Sequence, residues 1–283
     1  ILKNMTTKFR VDDSLYVLDQ FKFDGFGGSM VSSIVYDTRQ DSIETIMFKN
    51  EISKMDIHQL LVDAKDFDQT DFTHKNVSGI LTSAIDGRIV MRGDSVVYDK
   101  IIVRGNFKLE NGGLYNYEPL KELGKFTNLR ELDNVVFKTM ESGIFIYDNN
   151  IYFPKTDIVS TAIDMSAFGL ASFGDDYQFH IKVHLGDVMV GKSDKLLKAQ
   201  GKESDLFDGQ DETNRKGLNL LALNRNGESK YGFDNKRMQK IMTAEIRVQE
   251  RGLSLLFHPK LANYSTELDR REMKKRKEEK TSE

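Results

Sequence analysis

The 283-residue chain contains no cysteine, which excludes disulfides, thiolate metal sites and cysteine nucleophiles but leaves the cellular compartment open. It has three prolines, where average usage would give roughly fourteen. Because each proline removes a ladder donor, so few of them suit long uninterrupted β-sheet. No run approaches the roughly 18 uncharged apolar residues that a membrane-spanning helix needs. Charge of one sign is missing too. Lys and Arg number 41 against 44 Asp and Glu, for a net charge of -3, and the signs are interspersed. There is no general basic field to hold a nucleic-acid backbone, so no nucleic-acid partner is expected.

Catalytic signatures are also missing. The sequence has no Gly-x-Ser-x-Gly elbow, no phosphate-binding glycine loop opening a helix and no His-Glu-x-x-His. Gly25-Phe26-Gly27-Gly28 leads into a strand and reads as a bend or bulge. His180 and His184 have metal-pair spacing, but on a strand they stand about 13 Å apart, too far to share one ion. His58, His74 and His258 are scattered, and surface or structural roles are expected for them. Asp37–Asp41 and Asp208–Glu212 are acidic loops without the central Gly and terminal Glu of an EF-hand. Neither an enzyme nor a cofactor or metal is expected. The 44 acidic residues offer many carboxylate pairs, but their abundance points to no glycosidase.

What is present is alternation. From Ile101 to Leu109, Ile101, Val103, Phe107 and Leu109 share one side with Gly105, opposite Arg104, Asn106 and Lys108. From Tyr177 to Leu185, Tyr177, Phe179, Ile181, Val183 and Leu185 share a face opposite Gln178, His180, Lys182 and His184, which reads as an apolar face and a wet one. Asp148-Asn149-Asn150 and Gly174-Asp175-Asp176 suit hairpin turns. Further strands are expected near 8–19, 28–37, 43–54, 78–85, 88–98, 134–140, 143–147, 151–153, 157–163, 165–173, 218–224 and 244–257, giving a mainly β antiparallel meander. Short helices are expected near 57–66, capped by Asp56, near 117–126 and over 235–242.

The organisation that follows is a β sheet over 1–191, a mobile polar loop over 192–217, a final β segment over 218–260 and a charged tail over 261–283. The tail reads as a solvated helix or as disorder, with contact to anionic lipid or a partner as the functional alternative. So few helices leave most of the apolar face uncovered. The sheet can close as a barrel, pack as a sandwich, or curl into a trough that holds an apolar ligand. Alternation alone keeps the three open, with the closed forms a little ahead.

Longer segments carry a family resemblance. Gly105-Asn106-Phe107-Lys108-Leu109-Glu110-Asn111-Gly112-Gly113-Leu114-Tyr115-Asn116, closed by Pro119-Leu120, resembles the strand, Asn-Gly turn and short helix of the AsmA-like C-terminal region. The run Leu132, Val135, Phe137, Gly143, Ile144, Ile146, Asn149 to Ile151 and Phe153-Pro154, leading into Ile158–Met165, is similar in pattern to a hairpin of that family. Asp56–Leu61 with Phe67-Asp68-Gln69 and Val77-Ser78-Gly79 resembles its helix and return strand. Asn226–Ser229 and Tyr231–Asp234 resemble its final strand pair. The likeness covers residues 25–240 and rests on pattern and spacing rather than an invariant string. Ala171 stands where family members often carry a polar residue or His, and the family's amino-terminal membrane helix is absent from the chain.

The resemblance implies a repeating β-groove: a long twisted antiparallel sheet bent into a trough. It implies a periplasmic segment of an inner-membrane-anchored protein that guides phospholipid between membranes and supports outer-membrane biogenesis. Phospholipid and envelope proteins would be its partners. The groove lining would be Ile101, Val103, Phe107, Leu109, Tyr177, Phe179, Ile181, Val183 and Leu185, unless these residues fill a closed core. Since the chain starts at Ile1, it is read as a piece of a longer polypeptide with the anchoring helix and further groove repeats upstream. The alternatives are a scaffold for outer-membrane assembly without lipid transport and a β-rich carbohydrate-binding module.

Overall fold

In a computed structural model, residues 2–12, 14–68, 72–160, 163–185, 207–208 and 216–257 are described, together with Arg270, Met273 and Lys274. Positive φ angles at residue pairs fold the strands back on themselves. Phe26 and Gly27 (52° and 76°), Asp148 and Asn149 (49° and 63°), and Asn226 and Gly227 (54° and 81°) form two-residue turns whose twist matches that of the flanking strands. The glycine-rich 25–28 stretch is thus a hairpin turn.

The first half of the chain builds β1 (Lys3–Asp12), β2 (Leu15–Gly25), β3 (Gly28–Gln40), β4 (Ile43–Asp56), α1 (Ile57–Asp63), β5 (Val77–Arg92) and β6 (Ser95–Val96). The second half builds β7 (Ile102–Tyr115), α2 (Glu118–Thr127), β8 (Asn134–Tyr147), β9 (Asn150–Ser160), β10 (Asp164–Ser172), β11 (Tyr177–Leu185), β12 (Phe207–Asp208), β13 (Lys216–Arg225), β14 (Glu228–Phe233) and α3 (Lys236–Leu256).

All described strands belong to one antiparallel sheet, in the order β1-β2-β3-β4-β5-β7-β8-β9-β10-β11-β13; β6 folds back on the end of β5, and both β12 and β14 pair with β13. Apart from the short β6 and β12, each strand lies beside its sequence neighbour, and the fold is mainly β, one antiparallel sheet curled into a groove and not closed into a barrel. Several expected strand pairs are single long strands: 78–85 with 88–92, 134–140 with 143–147, and 151–153 with 157–160. The stretch 8–19 is instead split by the β1–β2 turn.

Both early helices start as expected. Asp56 caps α1 by accepting from the Gln59 N–H at 3.0 Å. In α2, Pro119 occupies the first turn and Asn128 ends the helix in a left-handed conformation. Pro119, Leu120, Leu123 and Thr127 recur at helical spacing and face the sheet.

The expected strand over 244–257 is helix α3, so the final β segment ends at Phe233 rather than 260. Ile246 and Val248 alternate locally, but the stronger period is that of Met242, Ile246 and Leu253, the buried side of the helix. Asn235 caps it by accepting from the Met238 N–H at 2.9 Å. The loop expected over 192–217 lies largely outside the described residues. Its described ends are strand, with Phe207 paired to Leu218 and Asp208 to Gly217. The tail over 261–283 also lies outside them apart from Arg270, Met273 and Lys274, which are helical.

Register places one apolar row straight across the sheet. Met55, Leu81, Leu109, Met140, Ile158, Met165, Val183 and Leu218 are successive cross-strand partners, and all are buried. Directly opposed residues share a face, so this row defines one side of the sheet, the first face. The α1, α2 and 129–132 segments contribute Leu61, Leu120, Leu123, Leu129 and Leu132 to the same core. The second face carries α3, which seats Met242, Ile246 and Leu253 on Ile102, Phe145 and Tyr152. The chain therefore covers its sheet on both faces, each over part of its width.

Candidate functional site

The helices α1 and α2 follow β4 and β7 at the same end of the sheet, where the β2–β3 turn also lies. The opposite end carries the connection from β1 to β2 and those at 41–42, 93–94, 148–149, 174–176 and 226–227. Across the first face this divides a sealed end from an uncovered one.

The residues expected to line a groove fall on both sides of that division. Leu109, Ile181 and Val183 sit in the sealed core, Val183 with 0% exposure. Phe107, Tyr177 and Phe179 are half-buried at the margin of that core. Val103 lies further toward the turn end and is buried there, and Ile101 is buried just before β7 begins. Leu185 ends β11, with its side chain outside the described residues. The alternation thus identified one face correctly, but part of that face is closed packing.

A second row crosses the uncovered end. Phe9, Leu18, Ile34, Phe48, Gly87, Val103, Ile146, Ile151, Ala171 and Tyr177 are successive cross-strand partners from β1 to β11. Phe9 is exposed; Leu18, Ile34, Phe48, Ile146, Ile151, Ala171 and Tyr177 are half-buried; Gly87 and Val103, at the middle of the row, are buried. Gly87 does not interrupt the row. A Cβ there would meet the Phe48 ring at 2.9 Å and the Val103 methyl at 2.8 Å, so its neighbours already fill the space. Nine strand steps of about 4.8 Å make the row roughly 43 Å long.

Aromatic rings flank this row, with Tyr16 and Tyr36 5.7 Å apart and Phe153 and Phe179 5.8 Å apart. The Tyr177 and Tyr231 hydroxyls share a hydrogen bond of 2.7 Å. Burial, and then this bond, push the Tyr177 hydroxyl above its ordinary pKa. The Tyr36 hydroxyl donates to Glu44, which raises it too, with burial adding. At neutral pH both phenols keep their protons, so these two hydroxyls add polarity to the face without charge.

The N-terminal half of the row was not assigned from sequence, although its strands were. The signal was available in Leu18, Ile34 and Phe48, but nothing local says that these residues align with Val103 and Tyr177. That alignment is a product of register over ten strands.

The second face corrects the expectation of a wet side opposite Tyr177–Leu185. His180 and Asp234 are fully enclosed, His180 Nδ1 lying 2.7 Å from Asp234 Oδ2. Asp234 also accepts from Gln239 Nε2 at 2.8 Å and from the Asn235 N–H at 2.7 Å. The His180 ring stacks on Phe168, with centroids 5.0 Å apart, and its Nε2 lies 2.9 Å from Gln178 Nε2. This network fastens the start of α3 to β11.

His58 and His74 meet rather than scatter: His58 Nδ1 lies 2.8 Å from the His74 carbonyl. His74 in turn holds Asp66 through its ring, at 2.7 Å, and its backbone N–H, at 2.6 Å. Burial works to raise the Asp66 carboxyl, but these bonds outweigh it and its pKa is lowered. Of the acidic loops, Asp37 pairs with Arg39 at the end of β3, and 209–212 lie outside the described residues. Among the described residues no three metal-ligating side chains converge, and no helix is long and apolar enough to cross a membrane.

No protein-family model, curated protein or solved structure matches the chain.

Proposed function

We propose that the uncovered end of the first face holds the hydrocarbon of a lipid, and that the chain is a lipid-carrying segment of the kind the AsmA-like resemblance implies. The observation that carries this reading is the apolar row from Phe9 to Tyr177, half-buried at seven of its ten positions and exposed at Phe9, beside a sealed core on the same face. Apolar surface of that extent facing solvent marks a ligand or partner site. At roughly 43 Å, the row exceeds the roughly 15 Å of hydrocarbon in one bilayer leaflet, so an acyl chain fits along it with room to move.

In the setting that the resemblance implies, the segment stands in the periplasm below an inner-membrane anchor and passes phospholipid toward the outer membrane. The protein's part is physical: it shields acyl chains from water and leaves headgroups at the rim. No bond is made or broken.

Organic extraction of the purified chain followed by mass spectrometry tests the reading. Co-purifying phospholipid is expected, and Phe48→Asp is expected to lower its amount by at least about fivefold, since a carboxylate beside an acyl chain lacks a partner. A parent protein free of lipid, purified from a lipid-rich host without detergent, would contradict it.

A further inference from the structure

Helix α3 turns Met242, Ile246 and Leu253 toward the sheet and a different chemistry toward solvent. Ile241, Val248 and Leu255 are 58%, 63% and 78% exposed. Seven residues apart, they follow one line along the helix. Beside that line lie Lys236, Arg237, Lys240, Arg247 and Arg251, all exposed. At 100° per residue, the outward arc from Lys236 to Ile241 spans about 140° and contains all five cations. Glu245 and Glu250, the two acids of the helix, fall outside that arc on its two borders. Five basic residues less two acidic ones give α3 a charge of +3, in a chain whose net charge is -3. Among the described residues, Arg237, Lys240, Arg247 and Arg251 form no ion pair.

We propose that this outward side of α3 docks on a lipid bilayer carrying anionic headgroups. The cations meet the headgroups, and Ile241, Val248 and Leu255 enter the boundary between headgroups and acyl chains. Scattered exposed apolar residues are ordinary on any protein. A straight line of them bordered by cations is the pattern of a helix lying in the membrane interface. Shape favours a bilayer over a protein partner: the line runs about 21 Å along the outer, convex side of a helix, which offers a flat surface contact rather than a groove for a peptide. Nothing in this inference depends on the groove being occupied.

Flotation of the full chain with vesicles tests it, comparing phosphatidylcholine alone with phosphatidylcholine containing about 30% phosphatidylglycerol. Binding is expected only to the anionic vesicles, and high salt is expected to weaken it. Reversal of Arg247 and Arg251 to Glu is expected to lower partitioning at least about tenfold, because each cation near such a surface contributes a factor of about five. Val248→Glu is expected to lower it similarly, with Val248→Ser as the milder form. All these positions are exposed, so the melting transition should stay in place.

No binding to anionic vesicles, or equal binding to neutral ones, would overturn the proposal. Undiminished binding by both the charge-reversed and the Val248 variants would overturn it as well. A dimer that depends on Val248, without vesicle binding, would assign the face to a second copy instead.

Discussion

Val183→Asp is expected to unfold the protein, whereas Ile34→Asp on the same face is expected to leave it folded. Val183 has 0% exposure and lies in the row from Met55 to Leu218, between Met165 and Leu218 and within the core shared with α2. A carboxylate there has neither water nor a cation to meet, and its burial should cost several kcal/mol. Ile34 is half-buried in the uncovered row, so a carboxylate there can turn toward solvent at a cost of about 1 kcal/mol. Thermal melts followed by circular dichroism should show Val183→Asp losing its cooperative transition and Ile34→Asp shifting it by a few degrees. Equal tolerance at both positions would contradict the division into sealed and uncovered ends.

Asp234→Ala should destabilise the protein by about 3 kcal/mol, the second-largest loss expected. The substitution strands His180 Nδ1 in a site with no water access, takes an acceptor from the half-buried Gln239 amide, and releases the residue that ties the start of α3 to β11. Breaking one partner of a buried pair costs more than the pair contributes, since the other group keeps its desolvation penalty. Asp234→Asn keeps the shape and one acceptor oxygen, so about half the loss is expected. In hydrogen exchange, amides of α3 near Met242 should lose protection before those of β7, β8 and β9, which pair on both edges. Asp234→Ala with an unchanged melt, or uniform loss of protection across the sheet, would show that the pair does not hold the helix.

These two tests correspond to what was hidden in the sequence. The strands from Ile102 to Leu185, the turns at 148–149 and 174–176, and the Asp56 cap were legible because each rests on local chemistry: alternation, turn-forming Gly, Asn and Asp, and a capping carboxylate. The start of helix α3 is legible as the helix expected over 235–242, but its continuation reads as strand because two β-branched residues alternate within a stretch whose decisive period, Met242 to Ile246 to Leu253, needs a wider window. His180 looked wet because its strand neighbours are polar; its partner Asp234 is 54 residues away and reaches it only after β13 and β14 have folded back. Val183 and Tyr177 read alike because strand alternation reports the face and says nothing of which helix covers which end. Of the candidate site, the face was legible, and its open portion was not.

Site-specific photo-crosslinking tests the lipid-carrying reading most directly. A photoreactive side chain at Phe48 or Ile34, in the uncovered row, is expected to capture phospholipid in vivo. One at Met47, buried on the second face beside Val35, is expected to capture none. Lipid adducts confined to Phe48 and Ile34 would place hydrocarbon on the uncovered end of the first face; equal adducts at all three positions, or none at any, would contradict it.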